Sequence, residues 1–228
     1  MGYDSTITFT LDTICPWTYL GFLRLQKALA QYRDSNSSST VTFQLQIAPY
    51  QLHPKFSQEG IDRHTWYRDE KYQGSEDKFN LYCDYMGALG KDEGVVFDFG
   101  EGPFANTFHA HRILQYVQER LGPEAAVKGL ESLYQQYFCE RAHPSGHDTL
   151  ITACRAAGLS EHEGRRVVED ESEAAMETKM AIQEQAGNGV DSVPYIVFEG
   201  RRRDFTLIGA KDVNEYVKML EQVAKEAS

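Results

Sequence analysis

The sequence has no long apolar run and no surplus of basic residues. No apolar stretch approaches the roughly 20 residues that a helix needs to span a bilayer, so no membrane span is expected. Twenty-three Lys and Arg stand against 34 Asp and Glu, and the formal net charge of -11 would repel a phosphate backbone. The one basic cluster, Arg201–Arg203, is followed at once by Asp204. The composition therefore argues against nucleic-acid and membrane partners.

Paired cysteines and a secretory signal are also lacking. The first residues show no basic segment followed by an apolar one, so a cytoplasmic location is expected. The sequence has only four cysteines, and no two of them form a CxxC or a metal-type pair. We therefore expect free thiols and no bound metal. The cysteines are Cys15, Cys83, Cys139 and Cys154.

What the sequence does contain is an α/β pattern at both ends. Thr6–Leu11 alternates β-forming residues, a segment with helical apolar spacing follows, and Val41–Ile47 alternates again. This βαβ opening predicts a parallel pair of strands. Near the other end, Tyr195–Glu199 and Phe205–Ile208 are typical of strands, and an amphipathic helix begins at Val213.

Between the two ends, from about residue 61 to residue 171, helical patterns follow one another without strand signals. Neither end has enough strands for a sheet of its own, so the ends are expected to complete one sheet together. We predict an α/β fold with a large all-helical insertion. Its parts are the first half of the frame, 1–60, the insertion, 61–172, and the second half, 173–228.

Cys15 stands where the first strand is expected to give way to a helix. Unpaired backbone N–H groups and the helix dipole favour a thiolate there. Pro16 suits the first helical turn, and Trp17 would lie beside the sulfur. The alternative for Cys15 is a small buried hydrophobic residue, as most free cysteines are. Val193-Pro194 favours the reactive interpretation, because a proline directly before a strand needs an explanation that a cis peptide bond would give.

The motif Cys-Pro-Trp-Thr-Tyr-Leu-Gly at 15–21, together with Val193-Pro194, resembles the DsbA-like thioredoxin superfamily and its FrnE-like branch. Residues 106–112 and Gly209-Ala210 are similar to further motifs of that branch. The resemblance implies a thioredoxin fold and a thiol- or glutathione-linked oxidoreductase or transferase. In such proteins the motif is CxxC, and the second thiol resolves a mixed disulfide. Thr18 stands in its place here, so the usual dithiol cycle cannot close.

Kappa-class glutathione transferases and 2-hydroxychromene-2-carboxylate isomerases are related groups that bind glutathione. The resemblance implies that the backbone of Val193 pairs with the cysteinyl unit of glutathione. The Thr18 hydroxyl could donate a hydrogen bond to a thiolate or an anionic ligand. An alternative function is a non-redox isomerase, cyclase or dehydratase that acts on an aromatic or polyketide-like substrate in the same cleft.

The insertion is expected to cover the thiol with an apolar pocket that includes a few polar groups. His109 is the candidate proton carrier, against an ordinary helix-cap or surface role, and core packing is the simpler alternative for each aromatic residue, including Tyr67. The expected partner is a small-molecule or thiol substrate, and a homodimer is left open. The predicted set comprises Cys15, Thr18 and His109 as catalytic residues and Pro16, Trp17, Trp66, Phe104, Asn106, Val193 and Pro194 as substrate-binding residues.

Overall fold

The computed structural model describes residues 2–37 and 39–227. Strand β1 (Tyr3–Leu11) is connected through helix α1 (Pro16–Ser35) to β2 (Val41–Pro49), which runs parallel to it. Both strands alternate between buried and more exposed positions over most of their length and are buried throughout their last three residues. The carboxyl ends of β1 and β2 are therefore covered on both faces of the sheet.

The second half of the sheet comes from the other end of the chain. Strand β5 (Tyr195–Phe198) pairs antiparallel with β1, and β6 (Phe205–Ile208) pairs antiparallel with β5. The order β2-β1-β5-β6 confirms that both ends contribute to one sheet. Helix α9 (Val213–Ala227) packs against α1, and its apolar spacing buries the face that includes Tyr216 and Leu220.

The segment between β2 and β5 is helical apart from one short ladder. Two-residue strands β3 (Ile61–Asp62) and β4 (Pro103–Phe104) pair antiparallel, which corrects the prediction of an all-helical insertion. Strands this short leave no periodicity in a sequence. Among the described residues, no helix is long and apolar enough to cross a bilayer. The helices are α2 (Arg63–Trp66), a π-helical turn (Tyr67–Lys71), α3 (Glu76–Glu93), α4 (Phe108–Leu121), α5 (Pro123–Glu140), α6 (His147–Ala156), α7 (Glu161–Glu169) and α8 (Ala175–Gly187).

Two buried arginines donate hydrogen bonds to backbone carbonyls at the carboxyl ends of two of these helices. Arg63 donates hydrogen bonds to the carbonyl oxygens of Asp98, Gly100 and Tyr137, the last of which lies in the final turn of α5. Arg112 does the same at the end of α7, where its guanidinium donates to backbone carbonyls from Val167 to Glu173. A cation at the carboxyl end of a helix satisfies unpaired carbonyl groups and complements the helix dipole. Both arginines therefore have a structural role.

Candidate active site

Cys15 caps the amino end of α1, with an extended backbone (φ -89°, ψ 116°), and Pro16 begins the helix. Its sulfur lies 4.0 Å from the carbonyl oxygen of Val193, a residue 178 positions away in the sequence. The Val193–Pro194 peptide bond is cis. The fold therefore brings the two motifs that carry the family resemblance to one place.

Helix α1 packs closely against Pro194 at Gly21. A Cβ atom at Gly21 would lie 3.0 Å from Cγ of Pro194 and 3.4 Å from the hydroxyl oxygen of Tyr216. The separation from Pro194 is tighter than an ordinary carbon contact, so an added methyl group would require a shift of a few tenths of an ångström. Gly21 thus allows the close packing that holds the first turn of α1 against the segment before β5.

The Cys15 thiol is buried, with only 6% of the residue exposed. Burial is the largest influence on it and raises the pKa of Cys15 to about 11. The backbone N–H groups of Thr18 and Trp17 favour the thiolate, whereas the charge of Asp12 opposes it. In this conformation burial therefore outweighs the effect of the helix end on the pKa of Cys15.

Thr18 is fully buried, and its hydroxyl group forms hydrogen bonds with the backbone. The hydroxyl oxygen lies 2.7 Å from the carbonyl oxygen of Cys15 and 2.8 Å from that of Asp12, and it accepts a hydrogen bond of 2.9 Å from the Tyr134 hydroxyl. Its direct effect on the pKa of Cys15 is favourable but is the smallest of the influences on that thiol. Thr18 therefore acts mainly as a link between α1 and α5.

Tyrosine side chains from three elements are electrostatically coupled to Cys15. Tyr67 comes from the π-helical turn, Tyr82 from α3 and Tyr137 from α5. Burial raises the pKa of each phenol, to about 12 for Tyr137, and a negative charge on Cys15 would raise each of them further. The hydroxyl group of Tyr82 is buried beside Tyr67, and that of Tyr137 is buried beside the Arg63 guanidinium. Two buried phenols therefore belong to the electrostatic surroundings of the thiol.

Lys71, the last residue of the π-helical turn, supplies a cation that the sequence reasoning missed. Its ammonium nitrogen lies 4.8 Å from the ring centre of Tyr82, 5.0 Å from that of Tyr67 and 5.9 Å from that of Tyr72. Burial lowers the pKa of Lys71, and a charge on Cys15 would raise it. The residue belongs to the charged run Arg68–Lys71, which has the composition of a solvated helix face.

The histidine that faces this cleft is His53, which lies in the loop after β2. Its ring stacks on Phe56 at 4.4 Å and meets Trp66 edge to face at 4.9 Å. Burial lowers the pKa of His53, the charge of Lys71 acts in the same direction, and that of Asp12 acts against them. The Asp12 charge therefore acts on both His53 and Cys15.

The structure places His109 in a different cluster. Its Nδ1 atom accepts a hydrogen bond of 3.3 Å from Arg112, and its Nε2 atom lies 3.9 Å from the Glu171 carboxylate. Its ring contact is with Phe108. Among the described residues, none of its hydrogen bonds, ion pairs or ring contacts reaches Cys15, so nothing here supports the predicted role as a proton carrier.

Asn106, another residue of the predicted set, is held by hydrogen bonds within the protein. The Asn106 side chain donates to the carbonyl oxygens of Pro54 and Phe56 and accepts from Gln51 and the backbone of Phe108, so the protein itself occupies all its polar atoms. These bonds fix the loop that carries His53. The corrected role of Asn106 is therefore to position that loop.

The predicted aromatic residues differ in accessibility. Phe104 is 2% exposed and packs beneath Trp66 and His53, which leaves it no surface for a substrate. Trp66 is half-buried. Trp17 is also half-buried, and its ring centre lies 6.2 Å from that of Tyr85 on α3. Trp17 and Trp66 thus remain available at the edge of the cleft.

An apolar cavity of about 490 Å³ is lined mainly by side chains of α3. Tyr82 lines it and is also electrostatically coupled to Cys15. Its lining residues are Tyr72, Lys78, Leu81, Tyr82 and Tyr85.

A buried acid and histidine lie beneath the first turn of α1. The Asp12 carboxylate accepts a hydrogen bond of 2.7 Å from the backbone N–H of Leu52 and lies 3.4 Å from Nε2 of His111. Both side chains are almost completely shielded from solvent. Among the described residues, no group of three or more histidine, cysteine or carboxylate side chains is arranged to hold a metal ion.

A cysteine at the amino end of the first helix, beside a cis-proline and above a mixed sheet of order β2-β1-β5-β6, defines a protein of the thioredoxin-fold class. A family model described as the DSBA-like thioredoxin domain matches residues 6–221. The chain therefore belongs to the DsbA-like thioredoxin family, and the predicted family and fold are confirmed.

Solved structures show the same fold. A probable DsbA oxidoreductase from Streptomyces coelicolor is 25% identical, with a TM-score of 0.83 over 98% of this chain and 92% of that one. The cytosolic disulfide reductase DsbM from Pseudomonas aeruginosa, solved with GSH, is 11% identical (TM-score 0.60; 95% and 98% covered). A 2-hydroxychromene-2-carboxylate isomerase is 15% identical (TM-score 0.57; 95% and 93% covered). No curated protein sequence matches the chain significantly.

Proposed function

We propose that this protein is a single-thiol, glutathione-linked oxidoreductase. Cys15 forms a mixed disulfide, and a glutathione thiol from solution resolves it. The observation that carries the proposal is the distance of 4.0 Å between the Cys15 sulfur and the Val193 carbonyl oxygen. In this motif the buried Thr18 occupies the position of the second cysteine. The Val193 peptide, next to the cis bond and beside the sulfur, offers backbone groups with which the cysteinyl unit of glutathione can pair.

The reaction closes with one protein thiol. The Cys15 thiolate attacks the glutathionyl sulfur of a glutathionylated substrate, the substrate's S–S bond breaks, and the substrate thiolate leaves and takes up a proton. A glutathione thiolate then attacks the glutathionyl sulfur on Cys15, which releases Cys15 and glutathione disulfide. Overall, one glutathionylated thiol and one glutathione give the reduced thiol and glutathione disulfide.

The other cysteines give no sign of serving as a resolving thiol. All four cysteines are free, and among the described residues no disulfide or hydrogen bond joins Cys15 to another cysteine. An external thiol fits this arrangement, and a reducing compartment such as the cytosol would supply it. Because Cys15 is buried, exchange also requires the segments that cover the sulfur to move away from it.

The test is turnover of a glutathionylated peptide with reduced glutathione, followed through formation of glutathione disulfide. Cys15→Ser removes the nucleophile and should abolish the enzymatic rate. Cys83→Ser removes a half-buried thiol outside the motif and should leave that rate unchanged. A wild-type protein no faster than glutathione alone, or a Cys15→Ser variant with full activity, would refute the proposal.

The second candidate is the non-redox isomerase, cyclase or dehydratase. It is favoured by the buried phenols of Tyr82 and Tyr137, which are electrostatically coupled to Cys15, and by an apolar cavity of about 490 Å³ that Tyr82 lines. Such a site would hold an aromatic or polyketide-like substrate and donate hydrogen bonds to a developing enolate. Under this alternative, Cys15→Ser keeps much of the rate on an enolisable aromatic substrate, whereas Tyr82→Phe loses most of it.

A further inference from the structure

We propose that the outer edge of strand β2 binds an extended segment of another polypeptide. The segment would lie in the edge cleft, a cavity of about 640 Å³ that is lined by residues of α1, α5, β1 and β2. From β1 the lining includes residues 4–6 near its amino end, whereas Cys15 follows its carboxyl end. The edge cleft is therefore separate from the thiol, and peptide binding there does not depend on the proposed function.

Alternate residues of β2 direct their backbone groups away from the sheet. Strand β2 lies at the edge of the sheet, next to β1. The Tyr3 N–H donates a hydrogen bond of 2.9 Å to the Thr40 carbonyl oxygen, just before β2. The Tyr50 N–H, just after β2, donates one of 2.8 Å to the Leu11 carbonyl oxygen. Because successive residues of a strand alternate in direction, the even-numbered residues of β2 pair with β1 and the odd-numbered ones point outward. Pro49 fits this alternation, since an outward position needs no N–H.

Side chains of the protein cap this outward edge on either side of its middle. The Ser39 hydroxyl oxygen lies 3.1 Å from the backbone nitrogen and 3.5 Å from the carbonyl oxygen of Val41. The side-chain amide of Gln118 on α4 accepts a hydrogen bond of 2.9 Å from the Ile47 N–H and donates one of 3.0 Å to the Ile47 carbonyl oxygen. Val41 and Ile47 are therefore paired much as a neighbouring strand would pair them.

Phe43 and Leu45 are the outward residues between these two caps. Among the described residues, no hydrogen bond reaches their N–H and C=O groups from outside the sheet. Each residue is 9% exposed, although buried backbone groups are normally paired. Both residues line the edge cleft, whose volume lies within the range of about 300–1,000 Å³ that is typical of ligand sites. Two donors and two acceptors in line on an edge strand match the backbone of an extended peptide.

The side chains of the edge cleft indicate the kind of segment that fits. Leu29 of α1 and Val127 of α5 offer apolar contacts to alternate side chains of a bound strand. The lining carries the carboxylates of Asp4, Glu124 and Glu131 against two cations, and the chain has a formal net charge of -11. A segment with neutral or basic side chains is therefore favoured over an acidic one. A second copy of this chain fits less well, because its own edge would also lie between two helices.

The test follows hydrogen exchange of the β2 amides by NMR. The probe is the heptapeptide acetyl-Lys-Thr-Val-Thr-Val-Thr-Lys-amide, whose side chains are neutral or basic. In the free protein, the amides of Phe43 and Leu45 should exchange at least about tenfold faster than those of Thr42 and Gln44, which pair with β1. Saturating peptide should slow exchange at Phe43 and Leu45 and leave Thr42 and Gln44 unchanged. The same peptide with N-methyl groups on its three central amides should bind at least about tenfold more weakly, because it lacks the donors.

Two tryptophan variants locate the binding. Gln26→Trp fills the edge cleft from α1 and should weaken peptide binding at least about tenfold. Gln31→Trp makes the same change at an exposed position of α1 outside the lining and should bind like the wild type.

Three results would overturn the proposal. The first is uniform exchange from Thr42 to Leu45 in the free protein, and the second is a peptide that leaves the Phe43 and Leu45 amides unchanged or binds equally well when methylated. The third is protection of these two amides that rises with protein concentration in the absence of peptide, which would place a second copy of the chain on the edge.

Discussion

The Tyr134 hydroxyl donates a hydrogen bond of 2.9 Å to the Thr18 hydroxyl, and both residues are fully buried. This bond joins α5 of the insertion to α1, at the position where a CxxC motif has its second cysteine. The hydroxyl of Thr18 in turn bonds the backbone carbonyls around Cys15. The residue that replaces the resolving thiol thus connects the insertion to the active-site turn.

The first prediction concerns the strength of this connection. Thr18→Val leaves the buried Tyr134 hydroxyl without its acceptor and should lower the free energy of unfolding by about 1–3 kcal/mol. Tyr134→Phe should have a smaller effect, and the double variant should show a coupling energy of about 1 kcal/mol between the two positions. Urea denaturation measures all three. Additive effects would show that the hydroxyl groups do not interact.

The second prediction restores the missing thiol. Thr18→Cys recreates the CxxC spacing and should allow a disulfide with Cys15, so that the variant reduces insulin with a dithiol reductant and no glutathione. Thr18→Ser keeps a hydroxyl group without a thiol and is the control. If the cysteine and serine variants behave alike, the loss of dithiol chemistry does not lie at position 18.

The third prediction follows from the raised pKa of Cys15, which burial brings to about 11. In the unfolded chain the thiol ionises near its ordinary pKa of about 8.5, whereas in the folded protein it keeps its proton. Alkaline pH therefore favours the unfolded state. Between about pH 8.5 and about pH 11, the wild type should lose roughly 2–4 kcal/mol more unfolding free energy than Cys15→Ser, in which this titration is absent. Parallel curves would mean an ordinary thiol pKa.

The fourth prediction concerns the contact between α1 and Pro194. Gly21→Ala places a methyl group 3.0 Å from Cγ of Pro194 and should destabilise the protein by about 1–3 kcal/mol, with a loss of activity as the turn shifts. Gly87→Ala is the matched control in α3, because its added Cβ meets nothing within 4 Å. There the change should stabilise the helix by about 0.5–1 kcal/mol. Similar results at both glycines would contradict the close approach.

The sequence predicts the thioredoxin-fold part of this protein well. The strands of the four-stranded sheet, β1, β2, β5 and β6, alternate with period two, and α9 has a clear apolar face. It also locates Cys15 and Val193, since proline before a strand and cysteine before a helix each have a local physical reason. It does not predict the two-residue ladder of Ile61 with Phe104, which is too short to leave a pattern.

Which side chains lie around Cys15 depends on tertiary packing, so the sequence alone could not predict them. His53 and His109 both lie near aromatic residues in the sequence, but only His53 is influenced by the Asp12 charge that also acts on Cys15. Lys71 belongs to a charged run, and only the π-helical turn places it among tyrosine rings. The high pKa of Cys15 also comes from long-range burial, which outweighs the local effect of the helix end.

The most direct test of the central claim is to identify the cysteine that takes up glutathione. The wild type is treated with glutathione disulfide, and the adduct is located by peptide mass spectrometry over time. Exposure alone would favour Cys83 and Cys139, which are half-buried, over the buried Cys15. We predict that Cys15 is modified first and that reduced glutathione reverses its adduct fastest. Modification of Cys83 or Cys139 with Cys15 left unmodified would contradict the account.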